Sequence, residues 1–271
     1  MEESVITSLQ NAKVKRLVAL QQKSSERRKS GLFVVEGQRE LQHCIEAGYQ
    51  VEEVFCCTNR ENRFELSAIS TSLGACHMSL VTPQVYEKIA YRGSTEGVIA
   101  TVHERHLTLA DLHLPASPLI MVLESVEKPG NLGAVLRSAD AAKADVVIVC
   151  DPLTDLYNPN LIRASIGAVF HVPVVACTST DCIAFLKQHN IQILTAQLQD
   201  STLYYETDMR RATALVMGTE STGLTNVWRQ AADAHIRIPM LGRMDSLNVS
   251  VSAAILLFEA VRQRQLFLVS S

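Results

Sequence analysis

From Leu119 to the C-terminus the chain alternates short, almost wholly apolar runs with amphipathic ones, and this alternation constrains its fold most. Leu119–Glu124, Val146–Cys150, Val172–Cys177, Ile191–Ala196, Ala212–Met217 and Ile236–Met240 have the length and continuity expected of buried strands. Helical patterns are predicted over Gly130–Lys143, Pro159–Phe170, Ile183–His189 and Asn226–Ala234, and over Leu247–Val261 after a loop at Gly242. Strands that are apolar on both faces and separated by helices predict an α/β domain with a parallel sheet covered on both sides.

A smaller alternation precedes it. Phe33–Gly37, Val51–Cys57, His77–Leu80 and Gly97–Val102 read as strands, with helices over Gly37–Gly48, through Ala68, and over Pro83–Ala90. The stretch 103–118 has no clean period and ends in Pro115 and Pro118. The expected organisation is a first α/β domain over 1–105, a linker over 106–117 and a second domain over 118–271.

Length and composition exclude several classes. With 271 residues, 47% hydrophobic and 20% charged, the chain can bury a real core and is neither disordered nor of low complexity. A net charge of −3 argues against a wholly basic nucleic-acid binder but leaves room for a local basic face. That face is visible early: Lys13, Lys15, Arg16, Lys23, Arg27, Arg28 and Lys29 stand near a single acid, Glu26. Val14, Leu17, Val18 and Leu20 give the first part a helical stripe, and Ser24–Ser30 reads as a basic turn. A solvated face and a phosphate-binding surface both fit this pattern. The seven cysteines form no C-x-x-C pair and mostly sit in apolar runs, which points to buried thiols, a reducing compartment and no zinc or other metal site. Met1-Glu-Glu-Ser does not open a signal peptide, and no apolar run approaches membrane-spanning length, so the expected location is cytoplasmic.

Three strand ends run into glycine-bearing corners. The first is Pro129-Gly-Asn-Leu-Gly-Ala-Val-Leu-Arg137, where a helix opens with free backbone amides and Arg137 shares a face with Gly133 and Ala134. Gly218-Thr-Glu-Ser-Thr-Gly-Leu224 is the second, with Glu220 at its tip. The third follows Pro239 and delivers Ser246, Asn248, Ser250 and Ser252 to the start of the last helix. Taken singly, these residues read equally well as helix caps, a turn carboxylate and a surface charge. Gly130, Gly133 and Asp151 also suggest a degraded dinucleotide fingerprint, and hence a nucleotide-dependent oxidoreductase, but the third glycine of that motif is missing. Corners at the carboxyl ends of parallel strands predict one shared pocket.

The ordered set Asn131-x-Gly133-x-x-x-Arg137, Gly218-x-Glu220-x-x-Gly223-Leu224 and Ile238-Pro-Met-x-Gly242-x-x-x-Ser246-Leu-Asn-Val-Ser-Val-Ser-Ala253 resembles the three motifs of the SpoU (TrmH-like) RNA 2′-O-methyltransferases of the SPOUT superfamily. Arg163–Pro173 matches a further stretch of those proteins. Ser8-x-x-Asn11-x-x-Val14-Lys15 and Arg27-x-Lys29-Ser30-Gly31-x-Phe33-Val34-Val35-Glu36-Gly37 resemble, more loosely, the L30e-like RNA substrate-binding domain of the longer members. Two positions depart from the common pattern: Lys128-Pro129-Gly130 replaces an Asp-Pro pair before the motif asparagine, and Asn160 stands where lysine is frequent.

The resemblance implies a deep trefoil knot in the C-terminal domain, S-adenosylmethionine held within it, a homodimer, and ribosomal RNA rather than transfer RNA as substrate. Carried over by position, the catalytic set is Arg137, Asn131, Glu220, Ser246 and Asn248. Gly218, Ile238 and Leu247 would contact the cofactor, with Thr195, Met217 and Met240 beside them. Lys13, Lys15, Arg16, Arg27, Arg28, Lys29 and Arg39 would meet RNA. A relative that kept the fold and RNA affinity but lost turnover is the alternative within the same resemblance.

Overall fold

The computed structural model describes residues 5–58, 76–91, 96–219 and 222–270, the last five as backbone only. The helix expected through Ala68 and the corner glutamate Glu220 lie outside the described residues. The chain divides into two compact units, one of Met1–Arg105 with Asp155–Phe170, the other of His106–Thr154 with His171–Ser271.

In the first unit, α1 (Ala12–Gln22) starts where the Asn11 side chain accepts from the Lys13 amide at 2.9 Å. Its stripe of Val14, Leu17 and Leu20 is buried. The basic segment Ser24–Ser30 is a short helix, α2, rather than the expected turn, and stops at Gly31 in the left-handed conformation. A four-stranded sheet follows in the order β1-β4-β2-β3, formed by β1 (Leu32–Glu36), β2 (Val51–Cys57), β3 (His77–Val81) and β4 (Val98–His103). Two pairings are antiparallel and β2–β3 is parallel. Among the described residues, helices α3 (Gln38–Glu46) and α4 (Pro83–Ile89) also belong to the unit's amino-terminal part.

The stretch Asp155–Phe170, expected inside the second domain, belongs to this first unit. Tyr157 stacks on Phe33 with ring centroids 4.4 Å apart, and its hydroxyl accepts from the Arg105 amide at 2.9 Å. The single helix expected over 159–170 is broken into α6 (Pro159–Ser165) and α7 (Ala168–His171), because Ile166 and Gly167 both take positive φ. At Gly167 a side chain would also crowd its surroundings: a Cβ would lie 2.8 Å from the His43 ring, which would have to move.

The second unit carries a seven-stranded, all-parallel sheet in the order β7-β6-β5-β10-β8-β11-β9. Its strands are β5 (Leu119–Glu124), β6 (Val146–Cys150), β7 (Val174–Cys177), β8 (Gln192–Ala196), β9 (Thr202–Leu203), β10 (Thr213–Met217) and β11 (Ala234–Arg237). Every residue of β5, β6 and β10 is buried, as a sheet covered on both faces requires. Helices α8 (Ser179–Gln188) and α9 (Asn226–Ala231) pack with the buried Trp228 against Ile120, Val122, Ile148, Ala214 and Val216. Helices α5 (Pro129–Ala141) and α10 (Val249–Ser270) pack on each other.

Residues 106–117 are not a free tether. Leu107, Leu109, Leu112 and Leu114 pack against this unit's core, and Leu107 bridges to Val175. The last helix is tied down by Arg264, whose guanidinium donates to the carbonyls of Met209, Ser117, Pro118 and Arg211 at 3.0, 3.0, 3.1 and 2.8 Å. All seven cysteines are free thiols. No described helix is long and apolar enough to cross a membrane.

Candidate active site

Because the sheet is parallel, β8, β10 and β11 all end on one side, and there the chain encloses a pocket of about 300 Å³. The end of β8 contributes Ala196, Gln197, Leu198 and Gln199; the end of β10 contributes Met217, Gly218 and Thr219. Ile236, Arg237, Ile238 and Met240 follow from β11, then Asp245, Ser246, Leu247 and Val249, and finally Ser252 and Leu256 from α10. The walls mix aliphatic side chains with the polar groups of Gln197, Gln199, Arg229, Arg237 and Asp245, as a site that both buries and orients a small molecule requires.

The second corner forms one wall by folding onto itself. Thr219 and Gly223 make an antiparallel bridge, and the Thr219 hydroxyl accepts from the Thr222 amide at 3.1 Å. A Cβ at Gly218 would lie 2.3 Å from the Gly223 carbonyl carbon and 2.5 Å from the Leu224 nitrogen, so only glycine permits this closure. Met217, Gly218, Ile238, Met240, Leu247 and Ser246, all singled out in the sequence, therefore line one pocket.

Thr195 does not join them. It is fully buried, and its hydroxyl is hydrogen-bonded to His235 Nδ1 at 2.6 Å; its neighbour Ala196 is the residue on the pocket wall. Gln197, Gln199, Arg229 and Arg237 also line the pocket and carried no motif. The Gln197 Oε1 is buried without a partner among the described residues, while its Nε2 donates to the Gln199 carbonyl at 2.9 Å. The only sequence signal of Gln197 and Gln199 was their position just past the end of an apolar strand, while Arg229 in α9 and Arg237 in β11 carried none.

Beside the pocket, the first and third corners meet. Asn248, between the lining residues Leu247 and Val249, donates through Nδ2 to Asn131 Oδ1 at 3.1 Å. Its own Oδ1 accepts from the Ser250 amide and hydroxyl at 3.0 and 2.6 Å, capping α10. Arg137, in α5, is exposed and makes no ion pair with a described residue. The Ser246 hydroxyl donates to Asp245 Oδ1 at 3.2 Å.

The basic residues of the first unit separate into groups. Lys13 pairs with Glu53 and donates to Ser79 at 3.2 Å, and Arg16 pairs with Glu52 at 3.2 Å. Lys15, Arg28, Lys29 and Arg39 are exposed and have no ion-pair partner among the described residues. Arg27 leaves the surface set altogether. Only 2% exposed, it donates to Asp155 at 2.6 Å and to the Leu20 carbonyl at 2.5 Å, so its charge is spent inside the unit. Asp151, the acid of the possible dinucleotide fingerprint, is similarly engaged by the Ser179 amide and hydroxyl at 3.2 and 2.6 Å.

Residues 118–258 match the SpoU rRNA Methylase family, and residues 11–100 match the MRM3-like substrate binding domain. The chain is 28% identical to the 23S rRNA (guanosine(2553)-2′-O)-methyltransferase RlmP of Bacillus subtilis, over 93% of this chain and 97% of that one. It is 38% identical to the 23S rRNA (guanosine-2′-O-)-methyltransferase RlmB of Escherichia coli K12, over 79% and 90%. The crystal structure of an AdoMet-bound rRNA methyltransferase from Sinorhizobium meliloti superposes with a TM-score of 0.87 at 30% identity, covering 96% and 97% of the two chains. The fold is accordingly that of a SPOUT methyltransferase domain built on an all-parallel sheet, preceded in the chain by a small α/β domain. With both halves matched and the ordered motifs gathered around one pocket, the chain belongs to the SpoU rRNA methylase family.

Proposed function

We propose that the protein is an S-adenosylmethionine-dependent RNA ribose 2′-O-methyltransferase acting on ribosomal RNA. The observation that carries the reading is the joining of the corners: the pocket is walled by the second and third motifs, and the Asn248–Asn131 bond brings the Arg137 helix to its rim.

The residues present fit the cofactor. Gly218, Ile238 and Leu247 would hold it through backbone and aliphatic contacts, with Met217 and Met240 beside them. The orphaned Gln197 Oε1 offers an acceptor for an amine such as that of adenine. When bound, S-adenosylmethionine supplies an electrophilic methyl group on a sulfonium.

Attack by a ribose 2′-oxygen on that methyl carbon would form the C–O bond as the methyl–sulfur bond breaks, with S-adenosylhomocysteine leaving and the hydroxyl proton passing to solvent, and it needs alignment and stabilisation of the charge that grows on the oxygen. Arg137 is suited to the second task. A guanidinium is a poor base and a planar donor, so Arg137 would act as a directional cation toward the nascent alkoxide and the adjoining phosphate. Asn131, Asn248, Ser246 and Glu220 would position substrate and guanidinium.

Residues 1–105 serve in this reading as the RNA-binding domain, with Lys15, Arg28, Lys29 and Arg39 facing phosphate and Lys13 and Arg16 held by Glu53 and Glu52. Residues 118–271 form the methyltransferase domain. Val251 and Phe258 are 47% and 48% exposed on α10, and Leu241 and Met244 are 97% and 73% exposed on the preceding loop. A homodimer would bury such a surface.

The test is methyl transfer from labelled S-adenosylmethionine to ribosomal RNA from a strain lacking the protein. A single alkali-resistant 2′-O-methyl mark, absent with Arg137→Ala, is expected. RNA binding without transfer would instead favour the non-catalytic alternative.

A further inference from the structure

The carboxylate of Glu124, at the end of β5, is 3% exposed, and among the described residues no lysine, arginine or histidine pairs with it. A buried carboxylate without a counter-ion must be held by hydrogen-bond donors. Here one residue supplies both strong ones: Thr225 donates its amide to Oε2 at 2.9 Å and its hydroxyl to Oε1 at 2.6 Å. The third neighbour contributes little. Ser179 Oγ lies 3.4 Å from Oε1, but its one proton points to Asp151 at 2.6 Å, and it accepts from Trp228 Nε1 at 2.9 Å.

Thr225 is the foot of the 218–225 corner. Leu224 and Gly223, immediately before it, line the pocket, and Gly223 closes against Gly218. The corner leaves the sheet at Met217, paired in register with Leu123, and returns to be fixed by Glu124, the next residue of the adjacent strand. Both ends of the loop are thus referenced to the end of β5.

We infer that Glu124 is a positioning residue for the cofactor pocket, holding Gly223 and Leu224 against Gly218 through Thr225 so that Gly218 and Leu224 present a preformed wall. The inference rests on the reading of this pocket as the S-adenosylmethionine site. It acts on binding of the cofactor rather than on the chemical step, because Glu124 touches neither the Asn131–Asn248 pair nor Arg137. Gln at this position can keep both contacts, its oxygen accepting from the Thr225 amide and its NH₂ donating to the Thr225 hydroxyl.

The experiment is calorimetric titration of the full-length wild type, Glu124→Ala, Glu124→Gln and Thr225→Val with S-adenosylmethionine, alongside steady-state methyl transfer. Glu124→Ala should raise Kd and KM for the cofactor about tenfold or more with kcat at saturation within about threefold, and Glu124→Gln should restore binding to within about threefold. Thr225→Val, which keeps only the amide donor, should fall between. A folded Glu124→Ala binding within about twofold of wild type overturns the inference, as does loss of kcat with unchanged KM. If Glu124→Ala does not fold, an unchanged Kd in Thr225→Val overturns it. Failure of the wild type itself to bind S-adenosylmethionine overturns the reading of the pocket and this inference together.

Discussion

Asn248 Nδ2 donates to Asn131 Oδ1 across 3.1 Å, joining segments 117 residues apart, and the same side chain caps α10 through its Oδ1. The two roles are separable. Asn248→Asp keeps the cap acceptor and removes the donor toward Asn131, so it should fold with near-normal thermal stability yet lose at least about tenfold in kcat. Asn248→Ala removes both and should also lose about 1 kcal/mol of stability. Differential scanning calorimetry beside a methyl-transfer assay checks both.

Gly218→Ala places a Cβ against backbone of Gly223 and Leu224, neither of which can swing aside as a side chain could. The corner must open. The variant should fold, because the strain sits in a surface loop, but should lose measurable S-adenosylmethionine binding by calorimetry.

Arg27 and Lys29 lie two residues apart and should behave oppositely. Arg27→Met breaks a buried ion pair and leaves Asp155 uncompensated, at a cost of about 3–5 kcal/mol in denaturant unfolding. Lys29→Ala should leave stability unchanged and reduce both RNA affinity and the slope of log K against log salt, by about one for a single phosphate contact.

Cys150, Cys177 and Cys182 bring their sulfurs within 4.8 Å of one another. Hydrogen bonds from the other two thiols hold Cys177 down, to about 4, whereas Cys150 and Cys182 are pushed up. Cys177 is also the one of the three that is not fully buried. Since the thiolate is the nucleophile, iodoacetamide at pH 6 should label Cys177 ahead of Cys150 and Cys182, and the rate should stay level as pH falls from 8 to 6, where an ordinary thiol would slow about a hundredfold. Peptide mapping by mass spectrometry reads this out.

Much of the pocket was legible because glycine corners and strand ends are local features. The strand ends themselves follow from apolar runs that stop abruptly, and parallel pairing then aligns those stops, whereas the assignment of Gly218, Met217, Ile238, Met240 and Leu247 to the cofactor came from the motif resemblance. Side-chain destinations were less legible. Thr195 was expected beside the cofactor, but its hydroxyl is bonded to His235 on the neighbouring strand. Arg27 shared its neighbours' basic character, and only the arrival of Asp155 from 128 residues away shows it as an internal charge. Gly167 was the one visible breaker signal inside the 159–170 pattern, whereas nothing at Ile166 announces its left-handed conformation. Glu124 ends an apolar strand like any solvent-seeking acid; its burial depends on Thr225, 101 residues later.

The most direct measurement is calorimetric titration of the purified protein with S-adenosylmethionine and, separately, with NAD. Saturable binding of S-adenosylmethionine and none of NAD is the predicted result. Binding of NAD alone, or of neither even with ribosomal RNA present, would contradict the assignment of this pocket.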